Sequence, residues 1–99
     1  MHIEGAGISR LFGRQTRAYA EYRAFSGLAR FSHIVHGATV TLTRAERQMV
    51  VCVVTVALED GRRVRIRSRG RHPYDAINRA ADRIGDQVRR HVSAGIASP

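Results

Sequence analysis

The chain has 99 residues and a mass of 11.0 kDa, which is too short for two independent hydrophobic cores and excludes two-domain enzyme architectures. Apolar residues make up 43% of the sequence, enough for a modest core, so the composition argues against intrinsic disorder. Seventeen basic residues against eight acidic ones give a formal net charge of +9, which indicates an anionic partner.

All seventeen basic residues are arginine. The rigid guanidinium fork suits bidentate contact with phosphate and stacking on bases, which favours an RNA-binding surface, although a biased codon composition would produce the same set equally well. Cys52 is the only cysteine, so neither an intrachain disulfide nor a cysteine-rich zinc site can form, and a cytosolic setting fits. The longest apolar run, 49–58, is about half a membrane-spanning helix, and residues 1–20 carry arginines instead of a signal-peptide segment. We therefore expect a soluble, unexported, cytoplasmic protein.

The first half of the chain predicts a strand, a helix and a second strand. Residues 2–8 are interrupted by glycine and alternate weakly, which predicts a short edge strand. Over residues 16–31, apolar residues recur at spacings of three and four, which predicts an amphipathic helix. The predicted buried stripe of this helix contains Ala18, Tyr22, Phe25, Leu28 and Ala29. Residues 34–43 alternate, with Ala38, Val40 and Leu42 on one side and threonines on the other, which predicts a strand with one wet face.

The second half predicts two strands and a helix. Residues 44–48 turn the chain, and the run 49–58 is β-branched and apolar on both faces, which places it in the middle of a sheet. The Asp-Gly signal at 59–61 predicts a hairpin turn into an alternating strand over 63–69. Pro73 suits the first turn of a helix, and apolar spacing continues to about residue 92. The buried stripe of this last helix is predicted to contain Tyr74, Ile77, Ala81, Ile84 and Val88.

These elements predict an α+β fold of order β-α-β-β-β-α, with two helices packed on one face of a four-stranded sheet and the other face open to water. This core is topologically similar to a double-stranded-RNA-binding domain. We expect a single domain over residues 1–92 and a flexible C-terminal tail over residues 93–99.

Helical geometry places five arginines opposite the apolar stripes. They are Arg23 and Arg30 on the first helix and Arg79, Arg83 and Arg90 on the last. If the helices lie side by side, these arginines share one outward surface that could follow a phosphate backbone; the alternative interpretation is an ordinary solvated face. Asp75, Asp82 and Asp86 lie beside the row, where they either orient it or neutralise part of it.

A second basic feature is the segment 62–71, with six arginines in ten residues. From Arg63 to Arg71, five of them share one pleat direction and form a ladder on the open sheet face, where Arg69 and Arg71 lie near the start of the last helix. Charge that discourages aggregation at an edge strand is the alternative interpretation. Tyr19 and Phe31 are the only aromatic residues expected outside the buried stripes, so we expect binding dominated by phosphate contacts and shape instead of base stacking.

The sequence shows no pattern for catalysis or metal binding. The pair His33 and His36 has neither a nearby cysteine nor paired carboxylates, whereas zinc normally needs three or four protein ligands. His72 precedes Pro73 and is expected to cap the last helix or to contact phosphate. Cys52 lies in the most apolar strand, and no glycine-rich phosphate loop occurs. We therefore expect a non-enzyme without a cofactor, metal or small-molecule substrate.

Residues 19–43, YAEYRAFSGLARFSHIVHGATVTLT, are followed by two predicted strands and by residues 72–78, HPYDAIN, which open a basic helix. Over about residues 16–92, this order of predicted elements and these two sequence segments resemble the ribosome hibernation promoting factor and ribosome-associated inhibitor family. The resemblance implies a domain that binds rRNA of the small ribosomal subunit near the decoding centre and silences translation in stationary phase or stress. It also implies a short form of the family, for which pairing of ribosomes would need another hibernation factor.

The resemblance matches the family's basic positions on the last helix with Arg79, Arg83 and Arg90. It matches those on the first helix with positions at or beside Arg23 and Arg30. Together with the strand and its end, the predicted RNA-binding residues are Arg23, Arg30, Arg69, Arg71, Arg79, Arg83 and Arg90. Two other functions stay open from the residues: a general double-stranded-RNA-binding module, and a protein-interaction regulator of a stress response.

Overall fold

The computed structural model describes the backbone of residues 1–97 and the side chains of residues 1–92. Within these residues, the elements in chain order are β1 (His2–Gly5), α1 (Ile8–Phe12), α2 (Arg14–Leu28), β2 (Val35–Arg44), β3 (Val50–Leu58), β4 (Arg63–Gly70) and α3 (Pro73–Ala97). The predicted α+β class and the order of its main elements are confirmed. The short helix α1 is an addition that the sequence pattern does not predict.

The four strands form one mixed sheet in the order β1-β2-β3-β4. The edge strand β1 runs parallel to β2, and the remaining neighbours are antiparallel. The Gly5 N–H of β1 also donates a 2.8 Å hydrogen bond to Glu21 Oε2, which ties the strand to α2. The predicted central position of β3 is confirmed because it pairs with β2 on one side and β4 on the other.

Both long helices cover the same face of the sheet, with α2 over β1 and β2 and α3 over β3 and β4. The core between these layers includes Ile8, Leu28, Val40, Val56, Ile66, Ile84 and Val88. On β2, the predicted alternation is confirmed: Ala38, Val40 and Leu42 are buried, whereas Thr39 and Thr43 are exposed on the opposite face. The sheet therefore keeps one face open to solvent, as predicted.

The predicted buried stripe of the first helix is wrong. In α2, Tyr22 is 64% exposed and Phe25 50% exposed, and Ala18 is exposed as well; Ala29 lies in the 3-10 turn after the helix and is also exposed. The residues that face the core are instead Thr16, Ala20, Ala24 and Leu28. Of the predicted stripe, only Leu28 is buried.

The reason for this rotation is the close approach of α2 and α3. A Cβ atom on Gly27 would lie 2.6 Å from Ile84 Cγ2 and 3.1 Å from the Ala81 carbonyl oxygen. Only small residues fit along such a seam, and Ala20 and Ala24 continue it on α2. The larger aromatic side chains of α2 are therefore turned toward solvent.

The helix α3 keeps its predicted stripe: Ile77, Ala81, Ile84 and Val88 are buried, and Tyr74 is half-buried. It begins at Pro73, where the imidazole Nδ1 of His72 accepts a 3.1 Å hydrogen bond from the Tyr74 N–H, so the expected capping role is confirmed. The helix continues to Ala97, beyond its predicted end near residue 92. Residues 98 and 99 lie outside the described residues, and the division into a domain over 1–92 and a tail over 93–99 stays a prediction.

The hairpin between β3 and β4 turns at Asp60 and Gly61, as the Asp-Gly signal predicts. Gly61 has a φ of 90°, a value that glycine adopts without strain. The carboxylate of Asp60 accepts hydrogen bonds from the Arg62 N–H at 3.0 Å and from Arg62 Nε at 2.7 Å. These bonds hold the pKa of the Asp60 carboxyl below its ordinary value. The turn thereby fixes the register of β4.

Candidate nucleic-acid interface

Alternate residues of β4 present arginine side chains to solvent. Val64, Ile66 and Ser68 are buried, whereas the arginine ladder, defined as Arg63, Arg65, Arg67 and Arg69, is exposed on the open sheet face. The predicted ladder is confirmed for these four residues. Arg71 follows the end of the strand at Gly70 and is exposed in the connection to α3, so it does not continue the ladder as the sequence predicts.

Two arginines of α3 reach the outer edge of β4. Arg79 Nη1 donates a 3.0 Å hydrogen bond to the Arg69 carbonyl oxygen, and Arg83 Nη1 donates one of the same length to the Arg67 carbonyl oxygen. Because β4 ends the sheet, these carbonyls have no further strand to pair with. The two guanidinium groups are therefore held in place at the sheet edge by the main chain.

Between β4 and α3 lies an open depression of about 670 Å³, here called the β4–α3 cleft. It is lined by Arg67, Ser68, Arg69, Arg79, Asp82 and Arg83. The guanidinium groups of Arg79 and Arg83 share the cleft with the Asp82 carboxylate, and the main chain of Arg67 and Arg69 forms its strand side, so the cleft is suited to an anion with several acceptor oxygens, such as phosphate. The structure thus brings together three of the predicted RNA-binding residues: Arg69, Arg79 and Arg83.

Arg23 does not face solvent as predicted. It lies on the flank of α2 next to α3, where Nε donates to Asn78 Oδ1 at 2.9 Å and Nη2 pairs with Asp82 Oδ1 at 3.1 Å. The Tyr19 hydroxyl donates a 2.6 Å bond to the same Asn78 oxygen. With its side chain 28% exposed, Arg23 is a bridge between the two helices, and Asp82 offsets its charge.

The remaining helical arginines are exposed but occupy different places. Arg30 lies over the Phe31 ring, 5.2 Å from its centroid, beside a groove between α2 and α3 that Asp82 and Asp86 also line. Arg90 is exposed farther along α3 and makes no hydrogen bond or ion pair with the described residues. Because carboxylates stand between the α2 arginines and the cleft, the five helical arginines do not form the single surface that the sequence predicts.

Aromatic side chains are more accessible than expected. Tyr22 and Phe25 are exposed on α2, whereas Tyr19 is half-buried and stacks on Tyr74 with ring centroids 4.4 Å apart. The expectation that Tyr19 and Phe31 are the only aromatic residues outside the buried stripes is therefore wrong. The signal that could have found the exposed pair is the run of small residues at 16, 20, 24 and 27, which marks the close-packed face of the helix.

The described residues offer little reactive chemistry. They contain no group of three or more histidine, cysteine or acidic side chains that is placed to hold a metal ion. The Cys52 thiol lies in the core, where burial raises its pKa to about 12 and keeps it protonated at neutral pH. None of the described helices has the length and hydropathy needed to cross a bilayer.

Comparison with known proteins identifies the family of this chain. The family model described as sigma 54 modulation protein / S30EA ribosomal protein matches residues 12–94. The chain belongs to this family. The resemblance to hibernation promoting factors is thereby confirmed, and the match covers α2, the three antiparallel strands and most of α3. No curated protein matches this S30EA family member.

Two solved structures are similar to the family member described here. The N-terminal domain of Protein Y from Thermus thermophilus has 28% sequence identity and a TM-score of 0.69, with 91% of this chain and 94% of that chain covered. A ribosomal subunit interface protein from Coxiella burnetii has 14% identity and a TM-score of 0.73, with 94% of this chain and 99% of that chain covered. The second similarity shows the shared fold.

Proposed function

We propose that this S30EA family member associates with the ribosome in the cytoplasm and silences translation during stationary phase or stress. Family membership and the similarity to the Protein Y domain support the ribosome as its partner. The proposed contact is small-subunit rRNA near the decoding centre, where mRNA and tRNA anticodons would otherwise sit. The single observation that carries this proposal is the β4–α3 cleft, with its four arginines and one carboxylate.

Within the cleft, Arg79 and Arg83 are the proposed principal phosphate ligands. Each uses Nη1 for a strand carbonyl, which leaves the other guanidinium N–H groups for a phosphate oxygen. A side chain already fixed by one hydrogen bond loses less conformational entropy when it binds a ligand. Arg69, whose carbonyl oxygen holds Arg79, lies on the strand side of the cleft and is the third residue of the proposed set there.

The other proposed contacts lie around this centre. Arg71 is exposed between β4 and α3, while Arg90 and Arg30 are exposed on and beside the helices. We assign these three to positioning contacts with the rRNA backbone, which add affinity without reading sequence. Arg23 is the weakest member of the proposed set because Asp82 already pairs with it.

The test is sedimentation of the protein with purified small subunits. We expect the wild type to pellet with them, and we expect mRNA together with tRNA to displace it. Arg79→Glu combined with Arg83→Glu should abolish pelleting. The matched control is Arg10→Glu combined with Arg14→Glu, which changes the net charge equally at exposed positions outside the cleft. A wild-type protein that stays in the supernatant at low salt would exclude the proposed function.

Binding measurements on the same proteins distinguish the proposed function from the two alternative functions. A general double-stranded-RNA-binding module should bind arbitrary RNA duplexes as tightly as it binds small subunits. A protein-interaction regulator should bind its target with an affinity that salt does not change, whereas phosphate contacts weaken steeply as salt rises. Thermal unfolding of each variant checks that the loss of pelleting does not come from loss of the fold, because Arg79 and Arg83 also hold the edge of β4.

A further inference from the structure

The arginines of the ladder form no ion pair among the described residues, and Glu4 is the carboxylate that shares a depression with Arg63 on this face of the sheet. The cross-strand neighbours of the ladder on β3 are Ala57, Thr55, Val53 and Val51, all uncharged. Among the described residues, the arginines that form ion pairs with carboxylates are Arg17, Arg23, Arg62 and Arg89, none of which belongs to the ladder. Four like charges in one row repel each other, and a bound polyanion would relieve that repulsion.

Protection of the sheet edge does not account for the whole ladder. Edge strands carry charge to prevent pairing with another chain. In this structure, the Arg67 and Arg69 carbonyls at the edge already accept hydrogen bonds from Arg83 and Arg79, respectively. Because the α3 side chains occupy this part of the edge, the charges of Arg67 and Arg69 are not needed to protect it.

We propose that the arginine ladder binds the phosphate backbone of a second RNA segment, separate from the segment that the cleft would hold. Alternate residues of a strand are about 6.7 Å apart. The four ladder arginines therefore form an extended row of positive charge that a nucleic-acid backbone, with one charge at every nucleotide, can follow. This inference extends the proposed function, since it adds a second surface for the same class of partner.

The face beside the ladder indicates backbone recognition without base readout. The next rows of the open face contain Thr55 and Val53 on β3 and Thr39, Thr41 and Thr43 on β2. The hydroxyl groups of these threonines are suited to contacts with phosphate and ribose oxygens. The described residues place no aromatic ring in these rows, so stacking platforms of the kind that single-strand binders use are missing there.

Arg67 and Arg69 contribute their side chains to the ladder and their carbonyl oxygens to the cleft, whereas Arg63 and Arg65 lie outside the cleft lining. Basic side chains thus run from the open face, around the edge of β4, to α3. Arg63 and Arg65 are the residues that isolate the ladder in an experiment, because a change there leaves the Arg79 and Arg83 hydrogen bonds in place.

The test uses three double variants and a labelled oligouridylate. The ladder variant is Arg63→Glu with Arg65→Glu, the cleft variant is Arg79→Glu with Arg83→Glu, and the control is Arg10→Glu with Arg14→Glu. Fluorescence anisotropy over a range of salt concentrations gives the affinity and the slope of log K against log salt. Two lost contacts with a single strand should lower the magnitude of that slope by about 1.4 for the ladder variant. The control should keep the wild-type slope.

Two outcomes decide the proposal. A ladder variant with reduced slope and an affinity at least about tenfold below that of the control, while its thermal unfolding midpoint is unchanged, would support it. A ladder variant that matches the control in slope and affinity would overturn it. Sedimentation with small subunits runs in parallel: if the wild type does not pellet while the ladder effect on oligouridylate persists, the proposed function fails and the ladder inference stands.

Discussion

Gly27 on α2 lies directly against Ile84 on α3: a methyl group added to Gly27 would come within 2.6 Å of Ile84 Cγ2. The Ala81 carbonyl oxygen would be 3.1 Å away on the same side. Ile84 is fully buried and belongs to the central core, so a shift of this side chain disturbs the packing of its neighbours. The distance between the helices is therefore set by the absence of a side chain at position 27.

This contact predicts that Gly27→Ala destabilises the protein by about 1–3 kcal/mol, because overpacking a core shifts helices and side chains. Helix propensity alone predicts the opposite sign, since alanine is favoured over glycine in a helix by about 1 kcal/mol. Urea unfolding measures the difference. Ser26→Ala, an exposed neighbour on the same helix, is the control and should change stability little. A more stable Gly27→Ala variant would show that the helices are not in close contact.

The exposed aromatic residues of α2 provide a second test. Tyr22→Ser and Phe25→Ser should each change the free energy of unfolding by about 0.5 kcal/mol or less, because both side chains are at least half exposed. Leu28→Ala should cost about 2–5 kcal/mol, because this side chain is fully buried. Thermal or urea unfolding compares the three variants. Similar losses of stability in all three variants would support the buried stripe that the sequence predicts.

Asp82 lowers the positive charge of the cleft, so its removal should strengthen RNA binding. Asp82→Asn takes the one carboxylate from the cleft lining and releases Arg23 from its ion pair. For a pair at the surface, an electrostatic gain of about 0.2–1 kcal/mol corresponds to roughly 1.4- to fivefold higher affinity. Fluorescence anisotropy with labelled RNA measures this gain in affinity. Glu46→Gln removes one charge from an exposed turn and controls for net charge; an equal gain there would mean that the position of Asp82 is unimportant.

The Cys52 thiol should be inert in the folded protein. Burial raises its pKa to about 12 from the ordinary value of 9.0, so the folded state binds the thiol proton more tightly than the unfolded state does. This contribution to stability is present below pH 9 and declines as the pH rises through the interval between these two values. A colorimetric thiol reagent at pH 8 should react only after denaturant is added. Rapid reaction of the native protein would contradict the buried position of the residue.

The Ser68 hydroxyl is buried beside the cleft and has no hydrogen-bond partner among the described residues. Burial of an unpaired hydroxyl is unfavourable, so Ser68→Ala should raise the free energy of unfolding by about 1 kcal/mol. Urea unfolding without RNA measures this effect. Thr43→Ala, on the exposed side of β2, is the control and should give no such gain. A loss of stability in Ser68→Ala would show that the hydroxyl has a partner.

The parts of the fold that the sequence predicts well are those with a clear period. The alternation in β4 and the spacing of Ile77, Ile84 and Val88 in α3 both match the observed burial. The stripe of α2 is misjudged because large apolar residues outweigh small ones in a pattern of hydrophobicity. The choice between Phe25 and Ala24 depends on how closely two helices approach, which the small residues of α2 indicate but a pattern of hydrophobicity does not.

The candidate site shows the same limit. Helical periodicity correctly places Arg79 and Arg83 outside the core, but it cannot tell that they lean toward β4. That contact depends on which strand ends the sheet and on how α3 crosses it. Arg23 is likewise outside the central stripe, yet the neighbouring helix supplies Asn78 and Asp82 as its partners. Tertiary packing therefore separates arginines that look equivalent in the sequence.

The strand β4 contributes to both basic surfaces, the arginine ladder and the β4–α3 cleft. The side chains of β4 form the ladder, and its main chain anchors the guanidinium groups of α3. A slip of β4 by one residue against β3 would turn every arginine of the ladder toward the core and would expose Val64 and Ile66. The length of the short loop at Asp60 and Gly61 thus decides which face of β4 carries the arginines. Inserting or deleting a single residue there would exchange the two faces of this strand.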